Sequence, residues 1–323
     1  MLLSKFRLHW AVVKALVVAS ALVSPASGAW ATNPLFEGAD PDIAFVDGKY
    51  WVFCTNSGRI VDDTLYSYSS TNLDLWKKHG PVLAMKDIHW IKDDRAKLHS
   101  LWAPGVFYDK GKGGRYYIYY SVGPQNPTPS RIGVASSRSP SGLFVDSGKP
   151  LITGDDAFEA IDAMVFRDPE SQRVYLYCGG SAASRLHVYE LNDDLISIKQ
   201  EVSVPNPAEF TEGAFMHFHN GLYYLSYSHG HWDKDDYCVA YSTAPSPLGP
   251  WTYKGKILVS DSIHAGPGHH AFFENPKNHK CYVVYHRWNG ANRLGHMPPT
   301  RSVCIEPLRY DSDGAILPIR MTE

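Results

Sequence analysis

A fivefold internal repeat constrains this chain more than any other feature. A turn followed by a Tyr-rich apolar run recurs as Gly48-Lys49-Tyr50-Trp51-Val52-Phe53, Gly114-Arg115-Tyr116-Tyr117-Ile118-Tyr119 and Gln172-Arg173-Val174-Tyr175-Leu176-Tyr177. It returns as Asn220-Gly221-Leu222-Tyr223-Tyr224-Leu225 and as His279-Lys280-Cys281-Tyr282-Val283-Val284. From Tyr50 through Tyr116, Tyr175 and Tyr223 to Tyr282 the steps are 66, 59, 48 and 59 residues, each with room for four strands. A second strand-like unit follows the early copies, as in Leu65-Tyr66-Ser67-Tyr68 and Val239-Ala240-Tyr241-Ser242, and Ser-Pro-x-Gly turns recur at 139–142 and 246–249. No long segment after residue 31 shows a helical period. Repeats of this length built from short strands predict an all-β fold, a five-bladed β-propeller. Kelch or WD40 interaction propellers are the non-enzymatic counterpart, but their Gly-His and Trp-Asp dipeptides do not recur here.

The first 31 residues read differently. Lys5, Arg7 and Lys14 precede an apolar run from Ala15 to Val23, and small residues lead to Ala29-Trp30-Ala31. This is the pattern of a secretory signal peptide cleaved after Ala31. The run is too short to span a bilayer. The expected product is a propeller over residues 32–323, secreted or periplasmic, with no membrane anchor after cleavage. Charge is nearly balanced, 31 basic against 33 acidic residues, which lacks the basic stripe of a nucleic-acid binder. Five cysteines lie inside apolar runs with no C-x-x-C pair, so buried free thiols are expected rather than a zinc cluster. There is no P-loop, no G-x-S-x-G and no H-E-x-x-H. His217 and His219, like His229 and His231, alternate along strands and read as packing or solvated loop residues.

In a propeller the innermost strands converge on one channel, so equivalent positions on them meet while lying far apart in sequence. Ten to fourteen residues before the five marker tyrosines stand Asp40, Trp102, Asp162, Glu212 and His269. Three acids brought together cost repulsion and desolvation. A purely structural propeller has little reason to gather them, and perturbed carboxylates in a cleft point to catalysis.

These segments resemble glycoside hydrolase family 43 over essentially the whole chain after the leader. The matching motifs are Ala39-Asp40-Pro41-Asp42-Ile43, Leu101-Trp102-Ala103-Pro104, Ala160-Ile161-Asp162-Ala163-Met164-Val165-Phe166, Phe210-Thr211-Glu212-Gly213 and Gly266-Pro267-Gly268-His269-His270, with a closing segment from Tyr310 to Ile319. The resemblance implies Asp40 as general base, Glu212 as general acid and Asp162 as the residue tuning Glu212. It further implies substrate contacts from Trp102 and Arg301 and a central metal, often calcium, near His269, although the chemistry itself requires no cofactor. Two positions depart from the family pattern, Ala214 after the Glu-Gly pair and Gly105 after Trp-Ala-Pro.

The expected activity is release of a pentose, arabinose or xylose, from hemicellulose or arabinan by an exo-acting α-L-arabinofuranosidase or β-xylosidase. The partner is then a plant-wall polysaccharide or oligosaccharide. Inversion places an acid and a base about 6.5–9.5 Å apart across the sugar, with water between base and anomeric carbon. The connections Met85–Leu101 and His229–Asp236 are placed to wall off one end of the channel. Two rivals remain at this point. Arg167-Asp168-Pro169 matches a motif of retaining sucrose- and fructan-acting propellers, in which Asp40 would be the nucleophile and Asp168 a transition-state stabiliser. The other is a non-catalytic carbohydrate-binding propeller.

Overall fold

Each marker tyrosine falls on the second strand of an antiparallel sheet, as the repeat predicts. The computed structural model describes residues 32–56, 63–289 and 300–323. The leader expected over residues 1–31 lies outside them. Blade 1 runs outward from the axis as Ala39–Val46, Lys49–Thr55, Thr64–Ser70 and Lys77–Ala84. Blade 3 is Met164–Arg167, Val174–Cys178, His187–Leu191 and Ile198–Val202, and blade 4 is Glu212–His219, Leu222–His229, Cys238–Ala244 and Thr252–Leu258. Blade 2 has three long strands, Ser100–Asp109, Arg115–Gly123 and Arg131–Ser137, and its outer edge is shared by the short Val145–Asp146 and Ile152–Thr153.

Blade 5 closes the ring with a strand from the other end of the chain. Its inner strands are Ala265–Asn275, Lys280–Trp288 and Arg301–Leu308, and the fourth is Phe36–Glu37, antiparallel to Arg301–Leu308. The five inner strands touch in sequence order, and the fifth returns to the first. Asn33 fastens this closure as a surrogate strand residue. Its amide donates to the Ile305 carbonyl (3.0 Å) and to Glu306 (2.9 Å), and its carbonyl accepts the Ile305 N–H (3.0 Å), all buried.

Burial explains why the marker strands read as continuous apolar runs rather than alternating ones. A blade has neighbours on both faces, so successive side chains enter opposite seams. In Lys49–Thr55, Tyr50, Val52 and Cys54 pack against blade 5, whereas Trp51 and Phe53 pack against blade 2. The core is five such apolar seams, one between each pair of adjacent blades. The tyrosine load is spent here, because Tyr119, Tyr177, Tyr224 and Tyr227 bury their rings and each hydroxyl reaches a backbone carbonyl. All five cysteines are free thiols, as expected, four of them buried.

The closure makes a specific demand on Asn33. Replacing it with Ala strands the Ile305 N–H and carbonyl in a dry site, at a cost of about 2–3 kcal/mol. Asn33→Ala is therefore expected to lower the thermal unfolding midpoint by several degrees. An unchanged midpoint would show that ring closure does not depend on this side chain.

Candidate active site

The inner segment of each blade carries a left-handed residue at an equivalent place near its axial end, where the backbone kinks. These residues are Asp40 (φ 50°), Ala103 (φ 43°), Asp162 (φ 60°), Gly213 (φ 60°) and His269 (φ 39°). In four of the five blades the N–H freed by the kink is taken by a side chain on the second strand of the preceding blade. Asp40 N–H donates to His286 Nδ1 (3.1 Å), Ala103 to Thr55 Oγ1 (2.7 Å), Asp162 to Ser121 Oγ (2.9 Å) and His269 to Ser228 Oγ (2.9 Å). The remaining one, Gly213 N–H, bonds the Asp162 carboxylate instead. The kinks correct the register read from the sequence. Asp40, Asp162 and His269 are structural equivalents, but Trp102 and Glu212 each stand one residue before the kink.

The register difference does not separate them. Asp40, Trp102, Asp162, Glu212, His269 and Arg301 all line one cavity of about 340 Å³, together with Ser100, Glu159, Ile161, Ser181 and Trp232. Arg301 Nη1 donates to Asp40 Oδ1 (3.1 Å), and its guanidinium lies against the rings of Trp232 and Trp288. His269 Nδ1 sits between Asp40 Oδ1 (3.6 Å) and Asp162 Oδ2 (3.4 Å). Glu212 Oε1 accepts the Tyr237 hydroxyl at 2.8 Å.

These surroundings separate the three acids. Burial favours the neutral form of Asp40, but the Arg301 guanidinium and the partners around it outweigh burial and hold its carboxyl well below the usual range. Arg301 is the main source of that effect, since burial pushes His286 down to about 4 and lowers His269 as well, leaving both rings neutral at pH 7. Glu212 is pushed up to about 7 by burial, despite its bond from Tyr237. Asp162 is raised well above the usual range by burial and by the Glu212 and Asp40 charges. Asp162 and Glu212 therefore titrate as a pair that retains a proton near neutrality, opposite a carboxylate that does not.

Comparison with known proteins decides the family. The sequence profile of Glycosyl hydrolases family 43 matches residues 31–316. The chain belongs to glycoside hydrolase family 43. It is similar to a β-D-galactofuranosidase of Aspergillus niger, 33% identical over 93% of this chain and 88% of that protein. It is also similar to a xylosidase/arabinosidase of Bacteroides ovatus, 28% identical over 87% of this chain and 94% of its relative. Among solved structures, a thermostable family-43 glycoside hydrolase superposes with a TM-score of 0.74 at 26% identity, covering 90% of this chain and 96% of that one.

Within this family 43 chain the two motif departures lie away from the cavity. Ala214 packs in the seam between blades 3 and 4. Gly105 is required where it stands, because a Cβ there would lie 1.9 Å from the Ala163 carbonyl oxygen of blade 3. Asp168 does not line the cavity. It closes the turn after the inner strand of blade 3, accepting from Glu170 N–H (3.2 Å), Ser171 N–H (3.1 Å) and the Tyr223 hydroxyl (2.6 Å). The retaining reading loses the transition-state stabiliser it assigned to Asp168. Of the two His pairs, His217 and His219 are packing residues: His217 bonds the Tyr310 hydroxyl (2.8 Å) and His219 stacks on the Tyr310 ring. His229 instead bonds the Glu209 carbonyl (2.9 Å), and the exposed His231 pairs with Asp233 in the connection.

The donor set at His269 does not build a calcium cage. Calcium takes about six to eight oxygens, and no three His, Cys, Asp or Glu side chains gather in ligating geometry among the described residues. A cation beside His269 would draw its oxygens from water, and no chemical step below is routed through one. The sequence reading singled out neither Glu159 and Trp232 in the cavity wall, nor the smaller contributions of Ser100, Ile161 and Ser181, nor Tyr237 bonded to Glu212. Trp232 falls in a connection identified as a wall, and its aromatic type was the available signal.

The Tyr237 bond offers a direct test of this electrostatic account. It favours ionised Glu212, so Tyr237→Phe should raise the Glu212 pKa above its value near 7. Carbon-13 NMR titration of the labelled carboxyl reads the shift. A pKa that stays or falls would contradict the assignment.

Proposed function

We propose that the protein is an exported, inverting and exo-acting glycosidase that removes a terminal arabinose or xylose from hemicellulose or arabinan. The observation that carries this reading is the opposition of Asp40 to the Asp162–Glu212 pair across one small cavity. A glycosidic oxygen leaves poorly unless protonated, so one carboxyl must keep its proton near neutral pH. Glu212 has that property, and it delivers the proton to the leaving oxygen. Asp40 is ionised and takes a proton from water as that water attacks the anomeric carbon. Asp162 holds the shared proton with Glu212 and repels its charge. Arg301 keeps Asp40 ionised and, with Trp102 and Trp232, bounds the sugar.

Cavity size supports exo action. Ligand pockets span about 300–1,000 Å³, and one near 340 Å³ suits a single terminal sugar better than an open run of subsites. Similarity to xylosidase/arabinosidases supports a pentose. A second reading is favoured by the 33% identity to a β-D-galactofuranosidase. β-D-Galactofuranose repeats the ring stereochemistry of α-L-arabinofuranose and adds one exocyclic carbon, so a furanose site accepts either according to the space beyond that arm. Export rests on the leader pattern of residues 1–31.

Nitrophenyl α-L-arabinofuranoside, β-D-xyloside and β-D-galactofuranoside separate these substrates, and pentoside turnover is expected to dominate. The roles are read from leaving-group dependence. Glu212→Gly should cost about 10²–10⁴-fold on natural glycosides and far less on a dinitrophenyl glycoside, which departs without protonation. Asp40→Ala should impair both substrates, since water is then never activated. Equal losses for both variants on both substrates would remove the assignment of acid and base.

A further inference from the structure

Glu159 is a fourth acid in the cavity wall, and the reaction above leaves it unused. It is buried, three residues before Asp162, where the Ile161 N–H folds back onto its carbonyl (3.1 Å). One carboxylate oxygen is anchored, with Oε2 accepting the Ala182 N–H (2.8 Å) and the Ser181 hydroxyl (3.3 Å). Oε1 has no hydrogen-bond partner among the described residues, and the side chain borders the cavity.

A break in the fivefold repeat makes room for this carboxylate. Five residues after the marker tyrosine, blades 1, 2 and 4 carry Thr55, Ser121 and Ser228, the hydroxyls that clamp the next blade's kink. Blade 3 has Gly180 there. A Cβ at Gly180 would lie 2.6 Å from Glu159 Oε2 and 2.6 Å from the Ile161 side chain. The clamp position has been emptied, and Glu159 occupies the space beside it.

Such a placement presents an anchored acceptor to the cavity. The Glu159 charge opposes ionisation of Asp162 and Glu212, and its second oxygen is left open to whatever occupies the cavity. A carboxylate accepts and never donates, and sugar hydroxyls are donors that form charge-assisted bonds to it. We propose that Glu159 is a substrate-binding residue whose Oε1 accepts a hydrogen bond from a hydroxyl of the terminal sugar. The proposal rests on the glycosidase reading above.

The test compares wild type and Glu159→Gln on the aryl glycoside that the wild type hydrolyses best and on its monodeoxy analogues. In the variant the amide oxygen must stay on Ala182 N–H, which turns an NH₂ donor toward the sugar in place of the acceptor. On the parent substrate kcat/KM should fall about 10- to 100-fold. On the one analogue lacking the contacted hydroxyl the two enzymes should become nearly equal. Glu159→Asp keeps the charge but withdraws the oxygen, and it should show the same selective pattern should the Gln variant fold poorly. A loss of equal size on every analogue would overturn the proposal, leaving Glu159 a role through charge or folding alone. A wild type inactive on pentosides but active on a galactofuranoside would refute the pentose reading instead, and the deoxygalactofuranoside series would then test Glu159.

Discussion

The site depends on one backbone constraint, a left-handed residue near the axial end of each blade's inner segment. For a residue with a Cβ this conformation costs about 1–2 kcal/mol, and Asp40, Ala103, Asp162 and His269 all adopt it. Each is held by a hydrogen bond from its own N–H to a side chain of the preceding blade. Every blade except the third thus fixes the kink of the next, and the blades are tied to one another where the cavity opens. The exception is informative. Blade 3 has glycine in place of a hydroxyl, and the unclamped Gly213 N–H binds Asp162 instead. The acid next to Glu212 thereby gains a fixed backbone donor.

Electrostatics then divides the work among chemically similar groups. Asp40, Asp162 and Glu212 are buried in one cavity and repel, and nothing in their burial alone would distinguish them. Arg301, pressed against Trp232 and Trp288, is close to Asp40. Among the described residues no guanidinium bonds Asp162 or Glu212, and burial raises both. Water-accessible arginine would be a weak tuner; the Arg301 side chain is only 16% exposed, so its charge is poorly screened. One arginine beside Asp40 thus keeps one carboxyl ionised while Glu212 is raised to about 7.

Much of this was legible before any coordinates, for a physical reason. A propeller repeats its second strand deep in two apolar seams, so the Tyr-rich runs around Tyr50, Tyr116, Tyr175, Tyr223 and Tyr282 survive as a period. The acids sit at a nearly fixed distance upstream, which brought Asp40, Asp162, Glu212 and His269 together on paper as they are in space. What stayed hidden lacked a repeating partner. Phe36–Glu37 is too short to show a strand period, so the ring closure through Asn33 was not foreseen. The one-residue offset of Trp102 and Glu212 is set by the kink, which leaves no mark in the sequence of Ala103. Glu159 lies on a turn, Trp232 in a connection and Tyr237 at the foot of a third strand, where nothing in the period singles them out.

The account's central claim is that Asp40 acts through water rather than by bonding to the sugar. Proton NMR of the first product, taken before mutarotation mixes the anomers, tests this directly. Inversion requires the released sugar to appear first in the anomeric configuration opposite to that of the substrate. Initial release of the retained anomer would mean two displacements, would make Asp40 a nucleophile, and would contradict the division of roles between Asp40 and the Asp162–Glu212 pair.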